Sequence, residues 1–248
     1  MSKCLIVTGG GRGIGAEVSR KAAKQGYSVC VNFHRDQTSA QKLVRELEKE
    51  GANALAYQAD VSREEEVEAL FQTVEKDLGT PEALVNNAGI LDLQTRVDGM
   101  NAERIQRIFA VNVTGSFLCA REAVKRMSTK YGGKGGSIVN LSSGAAKYGS
   151  PGEYVDYAAS KAAIDTLTIG LAKEVAEEGI RVNAVRPGFI DTEIHQSGGE
   201  PDRMERVRPL VPMKRVGQAE EVADAIMWLL SDKASYTTGT ILDVSGGR

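Results

Sequence analysis

Tyr157 and Lys161 stand four residues apart within a long run of helical pattern. At about 100° per residue, side chains four apart lie roughly 40° from each other on one helix face. Small residues surround the pair (Ala158, Ala159, Ser160, Ala162 and Ala163), so this helix is expected to pack closely against a neighbour. A lysine buried there needs a partner, because an uncompensated ammonium is costly to desolvate. A free tyrosine hydroxyl titrates near pH 10. A positive charge about 4 Å away contributes about 4 kcal/mol at an effective dielectric of about 20. Tyr157 is therefore expected to titrate nearer neutrality, where a general acid/base works best. Ser143 follows a predicted strand, and its hydroxyl is placed to hold a substrate oxygen. Each feature has a bland counterpart, a decorated helix surface or a serine cap. The combination does not.

A second group opens the chain. Cys4 to Val7 is a short apolar run bounded by turn residues, which reads as a buried strand. Thr8 to Gly15 is a glycine-rich turn, and a helical pattern with Ile14, Val18 and Ala22 on one face runs from Ile14 to Gln25. Strand, glycine turn and helix start together make a phosphate site. The glycines admit close backbone approach, and the opening helix amides carry partial positive charge. Gly11, Gly13 and Ala16 fit the Gly-x-Gly-x-x-Gly/Ala dinucleotide pattern. A tight turn with no ligand would look much the same.

The remaining elements must bring these two groups together. Strands are predicted at Tyr27–Phe33, Ala54–Ala59, Ala83–Val85, Ser137–Leu141, Arg181–Val185 and Thr240–Val244. Helices are predicted at Ser39–Glu50, from a capping box at Ser62–Glu65 to Asp77, at Ala102–Met127, at about Tyr154–Glu177 and at Ala219–Leu230. Arg186-Pro187-Gly188 is expected to break the strand pattern. Seven strands alternating with six helices predict an α/β fold, a doubly wound and mostly parallel sheet with helices on both faces. Ligands in such folds collect at the carboxyl ends of the strands. The predicted strand ends carry Thr8-Gly9, Phe33-His34, Asp60, Asn86-Asn87, Ser142-Ser143 and Arg186-Pro187, and these are expected to converge on one cleft.

The 248 residues can bury a substantial core and are read as a single domain, 1–248, with a substrate loop at about 193–214. A net charge of −2 supplies no positive field for nucleic acid or anionic membrane. No run of about 18 apolar residues is present, and no export signal precedes the first strand, so a cytoplasmic protein is expected. Cys4, Cys30 and Cys119 all lie in apolar runs and read as buried reduced thiols. His34 and His195 lack a metal-ligand constellation, and no metal is expected.

In this order and spacing, the chain resembles the short-chain dehydrogenase/reductase family over essentially its full length. The matching residues are Thr8-Gly-x-x-x-Gly13-x-Gly15, Asp60-Val61, Asn86-Asn-Ala-Gly89, Asn112, Ser143, Tyr157-x-x-x-Lys161 and Pro187-Gly188 with Thr192. The resemblance implies a Rossmann-type fold and hydride transfer between a nicotinamide cofactor and an alcohol or carbonyl. It implies Tyr157 as the acid/base, and Lys161 as the group that lowers its pKa and holds the nicotinamide ribose. Ser143 would bind the substrate oxygen, and Asn112 would kink its helix to hold a proton-relay water. The cofactor would lie along Gly9, Gly11, Arg12, Gly13, Ile14 and Gly15. It would also meet Asn32, His34 and Arg35, then Asp60 and Val61 near the adenine, Asn87, Ala88 and Gly89, and Pro187, Gly188, Ile190 and Thr192. One departure is visible: Tyr157 follows Ser143 by fourteen residues, slightly more than is usual, and Ser142 is the alternative. Residues 151–166 also resemble bacterial relatives loosely labelled as glucose 1-dehydrogenase homologues.

The end of the second strand bears on cofactor choice. A cofactor carrying only the ribose 2′-hydroxyl is usually held there by an acid. Here the strand ends Val31-Asn32-Phe33-His34, while Arg12 and Arg35 can approach a 2′-phosphate and Asp36 lies close by. NADP(H) is the expected cofactor, with NAD(H) possible. The substrate is expected to be a small carbonyl compound or secondary alcohol. The alternative is a 3-oxoacyl-[acyl-carrier-protein] reductase, for which Lys125, Arg126, Lys130 and Lys134 would form a basic patch, though cations also suit a helix C-terminus. Neither a dinucleotide-binding scaffold nor an extended-branch epimerase fits as well. The first would be expected to lack the Tyr or Lys, and the second would need a substrate-binding addition at the C-terminus. A homotetramer is expected from the resemblance, with Leu118, Ala158, Ala162 and Leu167 as packing contacts.

Overall fold

A computed structural model describes residues 3–192 and 203–248. Its first strand, β1 (Cys4–Val7), shows how the sheet is covered. Leu5 and Val7 point into one apolar cluster, while Cys4 and Ile6 point into the other. All four are buried, because strands alternate sides and both faces carry helices. The same holds in β2 (Ser28–Phe33), where Val29 and Val31 face the first cluster and Cys30 the second.

The other strands are β3 (Ala54–Gln58), β4 (Pro81–Asn86), β5 (Gly136–Leu141), β6 (Ile180–Pro187) and β9 (Ile241–Val244). They form one parallel sheet in the order β3-β2-β1-β4-β5-β6-β9. Two further short strands, β7 (Ile190–Asp191) and β8 (Gly217–Gln218), pair with each other beside it. The first face is covered by α1 (Gly13–Lys24), α2 (Gln37–Lys49) and α9 (Ala219–Leu230). The second is covered by α3 (Glu64–Asp77), α5 (Gly115–Met127) and α7 (Val155–Val175), with Phe71, Leu70 and Ile138 sealed inside. Strand order reverses between β1 and β4, and a crevice opens there at the carboxyl ends. The α/β architecture expected from the sequence is present.

Three local readings are corrected. The pattern from Ala102 to Met127 is not one uninterrupted α-helix. α4 (Ala102–Phe109) passes into a π-helical segment, Ala110–Thr114, before α5 begins. The predicted capping box at Ser62–Glu65 does not form. Ser62 donates its hydroxyl to Asp60 at 2.7 Å, and the N-cap of α3 is Arg63, which makes no side-chain cap. Arg186 and Pro187 do not break β6 but end it. β5 is paired only as far as Leu141 opposite Val185, so Pro187 lies beyond that neighbour and its missing N–H disturbs only an edge.

Between α5 and α7 lie β5 and a one-turn helix, α6 (Ala145–Tyr148). After β7 the described chain resumes with α8 (Arg203–Val207). The expected substrate loop therefore falls partly outside the described residues, at 193–202, and His195 lies there too. No helix among the described residues is long and apolar enough to cross a membrane.

Candidate active site

The glycine turn is shaped by its neighbours as much as by its own flexibility. Gly9 and Gly13 take positive φ values of 59° and 50°, which L side chains rarely adopt. A Cβ on Gly15 would stand 2.6 Å from the Asn87 amide nitrogen, so this position is closed to any larger residue. Asn87 braces the turn by donating to the carbonyls of Thr8 (2.9 Å) and Gly9 (3.0 Å). The Thr8 hydroxyl accepts in return from the amides of Asn87 and Ala88, both at 3.0 Å. Arg12, the N-cap of α1, offers no side-chain acceptor to the helix. The opening amides of α1 thus remain available to an anion.

Beside this turn is a cavity of about 540 Å³, lined by Gly9, Gly11, Arg12, Asn32, His34, Arg35, Asp36, Asp60, Val61, Ala88 and Gly89 among others. A smaller one, about 270 Å³, joins Gly13, Ile14 and Thr192 to Asn87, Ala88 and Gly89. Most residues predicted to hold a cofactor are thereby brought together. Asn32 belongs to the wall in a different sense, because its buried side chain accepts from Gly9 N–H at 3.3 Å and donates to Ala59 C=O at 3.1 Å. It holds the glycine turn to β2. The Ile190 side chain is buried in the first apolar cluster and lines another cavity, near Met213 and Gly246, so only its main chain could serve the cofactor. Ile190 pairs with Gly217 where β7 meets β8.

A third cavity of about 330 Å³ adjoins these through Leu91, which lines all three. Ser143, Tyr157, Pro187 and Gly188 line it, so the ends of β5 and β6 and the start of α7 meet there. Ser143 and Tyr157 face the same cavity, and the Ser143 hydroxyl accepts from Ala145 N–H at 3.1 Å. Ser142 points elsewhere: its buried hydroxyl donates to the Lys161 carbonyl at 3.1 Å. Of the two serines, only Ser143 lies in the cavity with Tyr157.

Lys161 is buried behind the tyrosine. Its Nζ donates to the Leu141 carbonyl at 2.6 Å and lies 5.7 Å from the centre of the Tyr157 ring. Burial pulls the ammonium down to about 8, against the upward pull of Asp165. The expected lowering of the Tyr157 pKa by this charge is not found. Burial dominates and raises the tyrosine, opposed by the nearby Ser143 hydroxyl and the charge of Arg203. The physical reason is the direction of the lysine, which is drawn to the end of β5 rather than to the phenol.

The π segment places Asn112 against the same region. Its Oδ1 accepts from Ile90 N–H (2.8 Å), and its Nδ2 donates to Ile90 C=O (2.9 Å) and to Ser160 Oγ (3.0 Å). The side chain is a clamp between the loop after β4 and α7. A Cβ on Gly89 would come within 3.3 Å of Lys161 Nζ and 3.5 Å of Asn112 Oδ1. Gly89 thus lets the loop after β4 approach the lysine closely. Extra turns of π-helix inside α-helices are frequent at functional sites.

These features have the geometry of a nicotinamide-dependent reductase, and comparison with known proteins agrees. A family model described as enoyl-(acyl carrier protein) reductase matches residues 9–248. The chain is a short-chain dehydrogenase/reductase. Members of this family are NAD(P)-dependent oxidoreductases, and this chain is one of them. It is 57% identical over 243 residues to an uncharacterized oxidoreductase, YgfF, of Escherichia coli, with 98% of each chain covered. It is 41% identical to 3beta-hydroxysteroid dehydrogenase 1 of Eggerthella lenta, covering 99% of this chain and 93% of that one. Glucose 1-dehydrogenase 2 of Bacillus subtilis is 38% identical, over 99% of this chain and 94% of the relative. 3-Oxoacyl-[acyl-carrier-protein] reductases of Staphylococcus aureus reach 36% over the whole of this chain.

Sequence reasoning missed Arg203, Arg206, Tyr154 and Arg248, which share the Tyr157 cavity. Nothing in local spacing marks them, since they come from separate segments. The arginines Arg203 and Arg206 meet Glu153 at 2.7 and 2.9 Å.

Proposed function

We propose that this short-chain dehydrogenase/reductase is an NADP(H)-preferring carbonyl reductase or alcohol dehydrogenase, a single-domain enzyme of the cytoplasm. The observation that carries it is the meeting of Ser143 and Tyr157 in one cavity, with Lys161 directly behind and the glycine turn alongside. Bound NADPH supplies the hydride. The opening amides of α1 would hold its pyrophosphate, Asp60 and Val61 would flank the adenine, and Lys161 with Gly89 would border the nicotinamide ribose. Negative charge then grows on the substrate oxygen, where Ser143 and the Tyr157 hydroxyl can donate to it. Tyr157 delivers the proton. Its raised pKa suits that direction, because burial keeps the phenol protonated at neutral pH.

Preference for NADP(H) rests on charge at the end of β2. Arg12 and Arg35 line the large cavity with Asp36, and no carboxylate occupies the last positions of the strand. Asp36 is committed to other partners: it accepts from Ser39 N–H at 3.0 Å and pairs with Arg12 at 3.5 Å. That leaves it poorly placed to hold ribose hydroxyls. Arg12→Ala is expected to lower kcat/KM for NADPH about tenfold or more, as the loss of a charge-assisted hydrogen bond implies. NADH should be affected much less. Equal or better efficiency of the parent enzyme with NADH would overturn the preference.

The acyl-carrier reading draws support from the staphylococcal relatives but little from the basic patch. Lys125 and Arg126 are both bound to the buried Glu122, at 2.7 and 2.8 Å, and Arg126 also reaches Glu75. Their charge is largely neutralised within the chain. A panel of carbonyls assayed with NADPH, including a 3-oxoacyl carrier substrate, separates the two readings.

We also propose a homotetramer. Ala158 and Leu167 are buried within the chain and Leu118 packs on its own core, so the expected contacts shift to Ile105, Phe117 and Ile169, which are exposed apolar residues on α4, α5 and α7. Light scattering should give four times the chain mass, independent of concentration. A monomer would exclude the assembly.

A further inference from the structure

Arginines border the cavity that holds Ser143 and Tyr157. Among the described residues, Arg203, Arg206 and Arg248 line it together with Glu153. Glu153 is shared by Arg203 and Arg206. Arg248 has no carboxylate partner among the described residues and stands against aromatic surface. Its guanidinium carbon lies 4.6 Å from the centre of the Phe189 ring and 5.1 Å from that of Tyr148, both residues of the same cavity. Its Nη1 is sealed from solvent with no hydrogen-bond acceptor among the described residues. A planar cation held on rings with an unused donor is an energetic liability in the absence of an anion.

The nearest chemistry does not resolve this. Asp243, in the neighbouring cavity that Arg248 also borders, is taken by Lys147 at 2.9 Å and Arg186 at 3.7 Å. The main chain of Arg248 is fixed, since Ser245 donates its hydroxyl to the Arg248 oxygen at 2.6 Å. The rings of Phe189 and Tyr148 then hold the guanidinium at the edge of the reaction cavity.

We propose that the substrate is an anionic carbonyl compound whose carboxylate or phosphate is held by Arg248 while its carbonyl meets Ser143 and Tyr157. This rests on the carbonyl-reductase reading and narrows it to a class, the oxo acids and oxo phosphates with the corresponding hydroxy acids. Arginine is suited to such a group because its fork of N–H donors matches the oxygens of a carboxylate or phosphate.

The test compares matched pairs that differ only in charge: 4-oxopentanoate with its ethyl ester, benzoylformate with its ethyl ester, and dihydroxyacetone phosphate with dihydroxyacetone. With NADPH, the anionic member of at least one type should have the higher kcat/KM, and raised salt should narrow the gap. A carboxylate advantage without a phosphate advantage identifies the first source, and the converse the second. Arg248→Gln should reduce the anion-to-neutral ratio about tenfold or more, through KM. Arg248→Lys, which keeps the charge but not the fork, should restore part of it. Calorimetric titration of 4-oxopentanoate and inorganic phosphate into the protein with NADP+ reads the same contact without turnover, and R248Q should weaken it. Reduction of neutral partners with no anion preference, or a preference that R248Q leaves intact, would overturn the proposal while leaving the reductase reading standing. Absence of any carbonyl reduction would overturn that reading, and the titration would then decide on Arg248 alone.

Discussion

Replacing Tyr157 by Phe is expected to lower kcat for carbonyl reduction by about 10²-fold or more, the loss that follows removal of a positioned acid. The ring stays, so packing at the start of α7 is preserved. What disappears is one oxygen and its proton, beside Ser143 in the same cavity. NADPH affinity should change little, because the phenol is assigned to the substrate oxygen. The pH behaviour provides a second check. Burial raises the tyrosine above its ordinary value, so the parent enzyme should hold its reductive rate across neutral pH and lose it only on the alkaline side. Single-turnover mixing of NADPH-loaded enzyme with substrate measures the step directly. Near-normal turnover by Tyr157→Phe would mean that another group supplies the proton.

The sequence made some of this legible and hid the rest, for reasons that differ residue by residue. The strands could be read because each is short, apolar and ends in a polar or turn-forming residue, and parallel topology sends all those ends to one side. Cys4 to Val7 was readable on that basis, and so was the glycine turn that follows. Asn112 was visible as a motif residue but its π segment was not, since one added residue barely disturbs a helical hydrophobic pattern. Ser62 looked like a helix cap because capping boxes are defined by spacing. Its hydroxyl had a nearer acceptor in Asp60. The Tyr157–Lys161 spacing correctly placed both side chains on one side of α7, yet it could not tell where the ammonium would point. That depended on the Leu141 carbonyl, twenty residues earlier at the end of β5. Arg248 was invisible for the same reason at longer range: its neighbours Tyr148 and Phe189 come from separate segments.

Lys161→Met should damage three properties at once, and their combination separates its role from that of the tyrosine. Turnover should fall about tenfold or more, because a cofactor whose ribose has lost its hold presents its hydride in poorer register to the substrate. NADPH binding should weaken as well, because Lys161 lies against Gly89, where the cofactor ribose is assigned. The third effect is on stability, and its sign follows from burial. The lysine titrates at about 8 in the folded protein, against 10.5 as its ordinary value. Below pH 8 both states carry the proton, and the native state bears the full cost of a buried charge. Between about pH 8 and 10.5 the unfolded chain keeps a proton that the native state has released. The unfolded state then binds more protons, so this residue makes stability rise with pH across that window, by about 3 kcal/mol in all. Other groups work in the opposite sense: burial pushes the thiols of Cys4 and Cys119 up to about 12, so their contribution falls as the unfolded thiols ionise. Comparing variant with parent at each pH removes those shared terms. Urea unfolding at pH 7.5, 9 and 10.5 should therefore show the parent gaining on Lys161→Met as pH rises. Tyr157→Phe provides the contrast, lacking only the phenol while retaining the buried ammonium. Parallel stability profiles for parent and Lys161→Met would show that the lysine is not buried as a charge, and its assigned hold on the ribose would then need another basis than this geometry.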